Sequence, residues 1–150
     1  MNTFDFDVNQ SLQALEGVDW GEPTYNSSLV IDCHRLRRVA LKDFTDDDLA
    51  RMIAQQIGLP YLVPMAVDAL RHRPCSSGEL YYGGTLLSAV LSLETNFWKA
   101  HPTLAREVLD VIEGLPARIA KLQDFECVGV QDVLAEEAPV FLQRAGLVKP

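Results

Sequence analysis

The sequence predicts a mainly α fold, a compact single-domain helical bundle over residues 1–150 with an irregular acidic N-terminal arm over residues 1–28. Three observations predict it. Apolar residues after position 48 recur at spacings of three and four, which places them on one face of a helix. The longest apolar stretch, residues 57–70, suits a buried helix. A chain of 150 residues is also about the size of one domain.

The composition is that of a globular protein with an acidic balance. Hydrophobic residues make up 48% and charged residues 23%, which argues against a disordered chain and a disulfide-held miniprotein. The 21 Asp and Glu outnumber the 13 Lys and Arg, so the formal charge is −8. Nucleic-acid binders need a basic surface to neutralise phosphates. The charge therefore disfavours direct contact with nucleic acid and favours a basic protein partner.

Targeting signals and cysteine spacing indicate the compartment. The N-terminus lacks the basic and apolar regions of a secretory signal, and residues 57–70 are too short to span a membrane. Cys33, Cys75 and Cys127 show neither a CxxC pair nor the spacing of a zinc site. We therefore expect a cytoplasmic protein with free thiols and no membrane contact.

The first 28 residues form the acidic arm. They contain five carboxylates and no Lys or Arg, and glycines and a proline mark turns. Residues 28–39 combine an apolar triplet with three arginines. Their pattern is compatible with a short strand, an extended arm or a helix.

Helix signals begin clearly at Thr45. Its hydroxyl, followed by Asp46, Asp47 and Asp48, predicts a capping box with acids at the positive end of the helix. Gly58 is predicted to end this helix as its C-cap.

A second helix is predicted from Pro60 or Val63 to His72. It is apolar nearly all round, which is typical of a helix at the centre of a bundle. Pro64 predicts either a start or a kink, because proline cannot donate to the preceding turn.

Shorter helical patterns follow a loop at residues 74–84. Pro102 opens a helix predicted to end at Gly114, and Pro116 is predicted to open another one. The last helix is predicted over residues 130–144, with Pro139 splitting it. Two short patterns precede these, at residues 85–93 and 96–99.

The chain shows no convergent catalytic set. Cys33 and His34 are neighbours whose side chains diverge in any regular structure, and residues 83–85 lack the lysine of a phosphate-binding loop. We therefore expect no enzymatic activity, no catalytic residue, no cofactor and no metal. The alternative is a small hydrolase that uses His72, His101 or a cysteine.

One long segment carries a family resemblance. Residues Arg38–Ala66 closely resemble the core of the immunity proteins of bacterial contact-dependent growth inhibition systems. The resemblance covers roughly residues 20–100. Its other parts are Trp20–Pro23, Cys33–Arg37, Gly78–Glu79, Tyr82–Leu87 and Phe97–Trp98.

The resemblance implies an antidote. Such a protein binds and neutralises the cognate C-terminal toxin domain of a neighbouring cell's surface protein in the cytoplasm. It implies a basic toxin, with a nuclease as one candidate, and leaves open a monomer or a small oligomer. The alternative is a cytosolic α-helical adaptor or regulator that binds another basic protein.

The acidic residues between 124 and 137 are the expected toxin-binding face. A mobile arm would lose more entropy on binding than acids held on a helix, which favours this face over residues 1–28. An acidic face that serves solubility is the alternative. The carboxylates are Asp124, Glu126, Asp132, Glu136 and Glu137.

Two tyrosines complete the predicted site. Tyr81 and Tyr82 lie in a glycine-rich loop and are candidate interface anchors. The alternative role for both is to cover the core.

Overall fold

The fold is built from α-helices. The computed structural model describes residues 4–24, 26–72, 86–122 and 133–147, and within these ranges it contains no strand. The predicted mainly α class is therefore confirmed. In chain order the helices are α1 (Leu12–Glu16), α2 (Ser28–Leu36), α3 (Asp46–Ala54), α4 (Leu59–His72), α5 (Leu86–Leu91), α6 (Thr95–Ala100), α7 (Pro102–Leu122) and α8 (Ala138–Arg144), with a 3-10 turn at Leu41–Asp43.

Helix α4 lies at the centre, as its all-round apolar sequence predicts. It packs against α3, α5 and α7, while α8 packs against α5. Its side chains at Leu62, Val63 and Ala66 are fully buried. The same buried cluster extends from Leu12 near the N-terminus to Phe141 in α8.

The start of α3 is the predicted capping box. Thr45 Oγ1 accepts from the Asp48 amide over 3.1 Å, and the Asp48 carboxylate accepts from the Thr45 amide over 3.0 Å. Two orphan donors at the helix N-terminus are thereby satisfied.

The predicted end of α3 at Gly58 is wrong. Gln56 adopts the left-handed conformation (φ 59°), and the amides of Gln56 and Ile57 donate to the carbonyls of Ile53 and Met52 over 2.9 and 3.0 Å. The helix therefore ends in a Schellman-type turn two residues earlier. The Gly58 carbonyl instead accepts from Leu62 at the start of α4.

Gly58 is required for contact with the arm. Its φ is +64°, and a Cβ built there would lie 2.7 Å from each of the two Cδ atoms of Leu12. Leu12 is fully buried. Leucine thus occupies the space left by the missing side chain of Gly58.

Helix α7 corrects the prediction of a break at Gly114 and Pro116. It runs continuously from Pro102 to Leu122. Proline removes one backbone hydrogen bond, but Val111 and Leu115 stay buried on the continuing apolar face. Burial of that face outweighs the cost of Gly114 and Pro116 in a helix, whereas the sequence pattern shows only that cost.

Residues 28–36 are helical, which settles the alternatives left open for the arginine-rich segment. The arm before them contains α1 and is otherwise irregular. Backbone hydrogen bonds join Leu41 to Gln10 over 3.0 Å and Lys42 to Val8 over 2.9 Å. This part of the arm is held against the bundle, so the mobile arm expected from the sequence is wrong here.

The split predicted at Pro139 is present. Residues 133–136 are helical, Glu137 lies in a turn, and Pro139 is the second residue of α8. Proline is tolerated there, because the first amides of a helix have no intrahelical partner and its missing N–H breaks no helical hydrogen bond.

We predict that Gly58→Ala lowers the free energy of unfolding by about 2–4 kcal/mol, since it adds both backbone strain and a clash with Leu12. Chemical denaturation measures the change. Gly114→Ala is the matched control, because a Cβ there meets nothing within 4 Å and alanine favours a helix. Equal stability of the two variants would contradict the proposed packing.

Candidate functional site

A buried arginine fastens the arm to α2. Arg37 is only 2% exposed, and its guanidinium donates to the Glu16 carboxylate and to the Val18 carbonyl, the latter over 2.6 Å. It also lies 4.3 Å from the ring centroid of Trp20. The cation is therefore paired and covered by an aromatic face, although its Nε has no hydrogen-bond partner. We call Glu16, Val18, Trp20 and Arg37 the arm clamp.

The next arginine neutralises more of the arm. Arg38 donates to the Gly21 carbonyl over 3.0 Å and to the Glu22 carboxylate over 3.4 Å. The nitrogen that donates to Gly21, Nη2, also lies 3.8 Å from the Asp19 carboxylate. With Glu16, three of the arm's five carboxylates lie beside arginines, and the two cations reduce the arm's charge of −5 to a local −3.

The arm clamp also fixes an exposed apolar surface. Trp20 is 42% exposed, yet its ring lies 5.2 Å from the ring of His34, in addition to its contact with Arg37. His34 Nδ1 donates to the Gly21 carbonyl over 3.2 Å. A rigid, exposed tryptophan is typical of protein interfaces. Sequence reasoning missed this surface; its signal was Trp20 preceding a run of arginines.

A polar seam joins α8 to α5. The Glu137 carboxylate accepts from the hydroxyls of Ser88, over 2.8 Å, and Ser92, over 3.4 Å. Arg144 donates to the Ser92 carbonyl over 3.1 Å. Glu136, one residue earlier, is exposed. The two predicted toxin-binding glutamates are thus separated: one is held in the fold and the other faces solvent.

A cleft of about 580 Å³ opens between the beginning of the arm, α4 and the start of α7. Phe6 forms one wall and packs edge-on against Tyr61, with ring centroids 5.2 Å apart. Pro64 and His101 line the other walls. Sequence reasoning missed the cleft, because its walls come from segments distant in the chain.

Comparison with known families decides the assignment. A model of contact-dependent growth inhibition (CDI) immunity proteins matches residues 14–108. The chain belongs to the CDI immunity proteins. The resemblance inferred from the sequence is thereby confirmed. No curated protein and no solved structure gives a significant match.

The family match begins inside α1 and ends in the first third of α7. The match includes the arm clamp, all of α4, and the helices α3 and α5 that pack against α4. The acidic stretch at 124–137 and α8 lie beyond it. In this immunity protein the family match therefore does not bear on the predicted toxin-binding face at 124–137, which rests on its acidic side chains alone.

Most of the predicted toxin-binding residues lie outside the described residues. They are Tyr81, Tyr82, Asp124, Glu126 and Asp132. Their role stays a prediction. Glu136 and Glu137 are described: Glu136 ends the helical residues 133–136, and Glu137 is the N-cap of α8.

The histidines of the immunity protein have structural contacts. His72 donates to the Asp68 carbonyl over 2.8 Å. The ring of His101 packs on that of Phe97 at 4.6 Å between centroids. Within the described ranges, no group of three potential ligands could hold a metal.

The described cysteine is also buried. Cys33 is a free thiol, as predicted, and burial raises its pKa. A raised pKa leaves less reactive thiolate at neutral pH. Cys75 and Cys127 lie outside the described residues. Among the helices that are described, none has the length and apolar character needed to cross a bilayer.

We predict that Glu16→Ala releases the arm, because it leaves the buried Arg37 cation without its carboxylate. The loss of stability should be about 1–3 kcal/mol, less than for a fully buried pair, because Glu16 is 30% exposed. Acrylamide quenching of tryptophan fluorescence should increase as Trp20 leaves Arg37.

Glu22→Ala is the control for this variant. Glu22 is 84% exposed and pairs with the exposed Arg38, so its removal should change stability by less than about 1 kcal/mol. If Glu16→Ala left both stability and quenching at wild-type values, the arm clamp would not hold the arm.

Proposed function

We propose that this immunity protein binds the C-terminal toxin domain of its cognate CDI system in the cytoplasm and neutralises it by binding alone. The match to the immunity family over residues 14–108 is the observation that carries this proposal. An inhibitor of this kind needs a complementary surface and no chemistry of its own.

The charge distribution supports a basic toxin domain, with a nuclease as one candidate. The formal charge is −8, and Arg37 and Arg38 offset two of the arm's five negative charges. The arm with these two arginines keeps a charge of −3, so the rest of the chain carries the larger share of the attraction, −5. Complementary charge accelerates association, and buried anchors slow dissociation.

The acidic stretch at 124–137 is the proposed contact surface. Glu136 is exposed and free to approach a partner, whereas Glu137 holds the start of α8 to Ser88. Glu137 therefore acts as a positioning residue for this surface. Asp124, Glu126 and Asp132 would add charge, and Tyr81 and Tyr82 would serve as anchors.

Co-expression with the toxin domain tests the function. We expect the gene upstream to encode a large surface protein ending in that domain. The two proteins should co-purify, and cells that express the immunity protein should survive the toxin. Absence of a complex at micromolar concentrations would refute the proposal.

We predict that Glu136→Lys slows association with the toxin roughly threefold or more at low salt, because it replaces an attractive charge with a repulsive one. Stopped-flow mixing at several salt concentrations measures the rate and should show a weaker salt dependence for the variant. Glu113→Lys, an exposed position on α7, has the same change in net charge and is the control. Equal slowing in both variants would place the contact elsewhere.

We predict different consequences for two changes at Glu137. Glu137→Gln keeps a carbonyl oxygen that accepts from Ser88, so stability and toxin affinity should stay near wild type. Glu137→Ala removes the acceptor and should cost about 1–2 kcal/mol of stability. Calorimetry of the free protein and of toxin binding measures both. Loss of affinity in Glu137→Gln with unchanged stability would instead make Glu137 a direct contact.

A further inference from the structure

The cleft between the arm, α4 and α7 has carboxylates on three sides. Asp5 comes from the arm, Asp68 from α4 and Glu107 from α7. Within the described part of the chain, neither Asp5 nor Glu107 has an ion-pair partner within 4 Å. Among the lining residues that the structure describes, Arg71 is the only formally cationic side chain, and it is exposed.

Much of the remaining lining is aromatic or apolar, although it also contains His101 and Thr103. Phe4 stacks on Phe6 with ring centroids 5.2 Å apart, and Phe6 in turn packs against Tyr61. Pro60 and Pro64 contribute the face of α4. Carboxylates around a lining of rings match a side chain that has an apolar stem and a cationic head.

The size of the cleft is compatible with such an occupant. Its volume of about 580 Å³ lies within the range of about 300–1,000 Å³ that ligand pockets occupy. That leaves room for one long side chain and the water that accompanies its charge. The arm is held there by its hydrogen bonds to residues 41 and 42, so the wall exists before a partner arrives.

We propose that this cleft receives a lysine or arginine side chain of the toxin domain. The proposal deepens the proposed function and rests on it. Binding would place the cation among the carboxylates of Asp5, Asp68 and Glu107, and its methylene groups against Phe6. A contact of this kind would give the complex an anchor other than the acidic stretch at 124–137.

An anionic ligand is the competing chemistry. The start of α7 and the Arg71 guanidinium attract anions, whereas the three carboxylates repel them. Replacement of Arg71 distinguishes a cationic from an anionic ligand. Its loss removes a charge that repels a cation, whereas the same loss removes a charge that attracts an anion.

Paired charge-neutralising variants test the proposal. Asp5→Asn combined with Glu107→Gln removes two charges from the cleft with almost no change in shape. Asp110→Asn combined with Glu113→Gln removes two exposed charges from the same helix, α7, outside the lining. Affinity for the purified toxin domain is measured by titration calorimetry at low and high salt, with thermal denaturation to verify that each variant is folded.

We expect the cleft variant to lose at least tenfold in affinity at low salt, and the control to stay within about twofold. Arg71→Ala should bind the toxin as tightly as the wild type or more tightly. Equal affinity of the two double variants, or weaker binding by Arg71→Ala, would overturn the proposal. If the wild-type chain itself bound no toxin, the proposed function would fail; if it bound and the cleft variant matched it, only this inference would fail.

Discussion

Arg37 is buried, and the charge of a buried guanidinium must be compensated by other groups of the protein. The compensating groups, the Glu16 carboxylate and the Val18 carbonyl, belong to the arm. Their position brings α1 onto the bundle and places Leu12 against Gly58. The same docking carries Phe6 to Tyr61 and so completes the wall of the cleft. Several features that are distant in the sequence thus depend on one buried cation.

The buried arginine also changes the meaning of the acidic composition. Five carboxylates without a base in the first 28 residues suggest a strongly negative arm. In the folded protein, Arg37 and Arg38 approach three of them. The field that a partner meets is therefore set mainly by the carboxylates outside these contacts, such as Asp5 and Glu107 in the cleft and Glu136 before α8. Net charge predicts the sign of a partner's charge, whereas only the fold shows which carboxylates that partner can reach.

The parts of the fold that follow from local chemistry were predictable. The capping box at Thr45 and the central position of α4 depend on neighbouring residues and on all-round hydrophobicity, and both are confirmed. The continuity of α7 through Pro116 depends on the tertiary burial of Leu115, which no local pattern shows. The candidate sites behave in the same way. The sequence identified Glu136 and Glu137 as acids, but their separate roles depend on Ser88, which lies 49 residues away from Glu137.

The contact between Leu12 and Gly58 has a consequence for dynamics. If the arm detaches, a leucine-sized void opens beside the turn that joins α3 to α4, and that turn loses its support. The Arg37 guanidinium simultaneously loses its carboxylate. Opening one residue at a time is therefore costly, and the segment from Phe6 to Trp20 should open and close as one cooperative unit. A toxin side chain that packs against Phe6 would bind only the closed state of this unit. By mass action it would therefore suppress the opening of the whole segment.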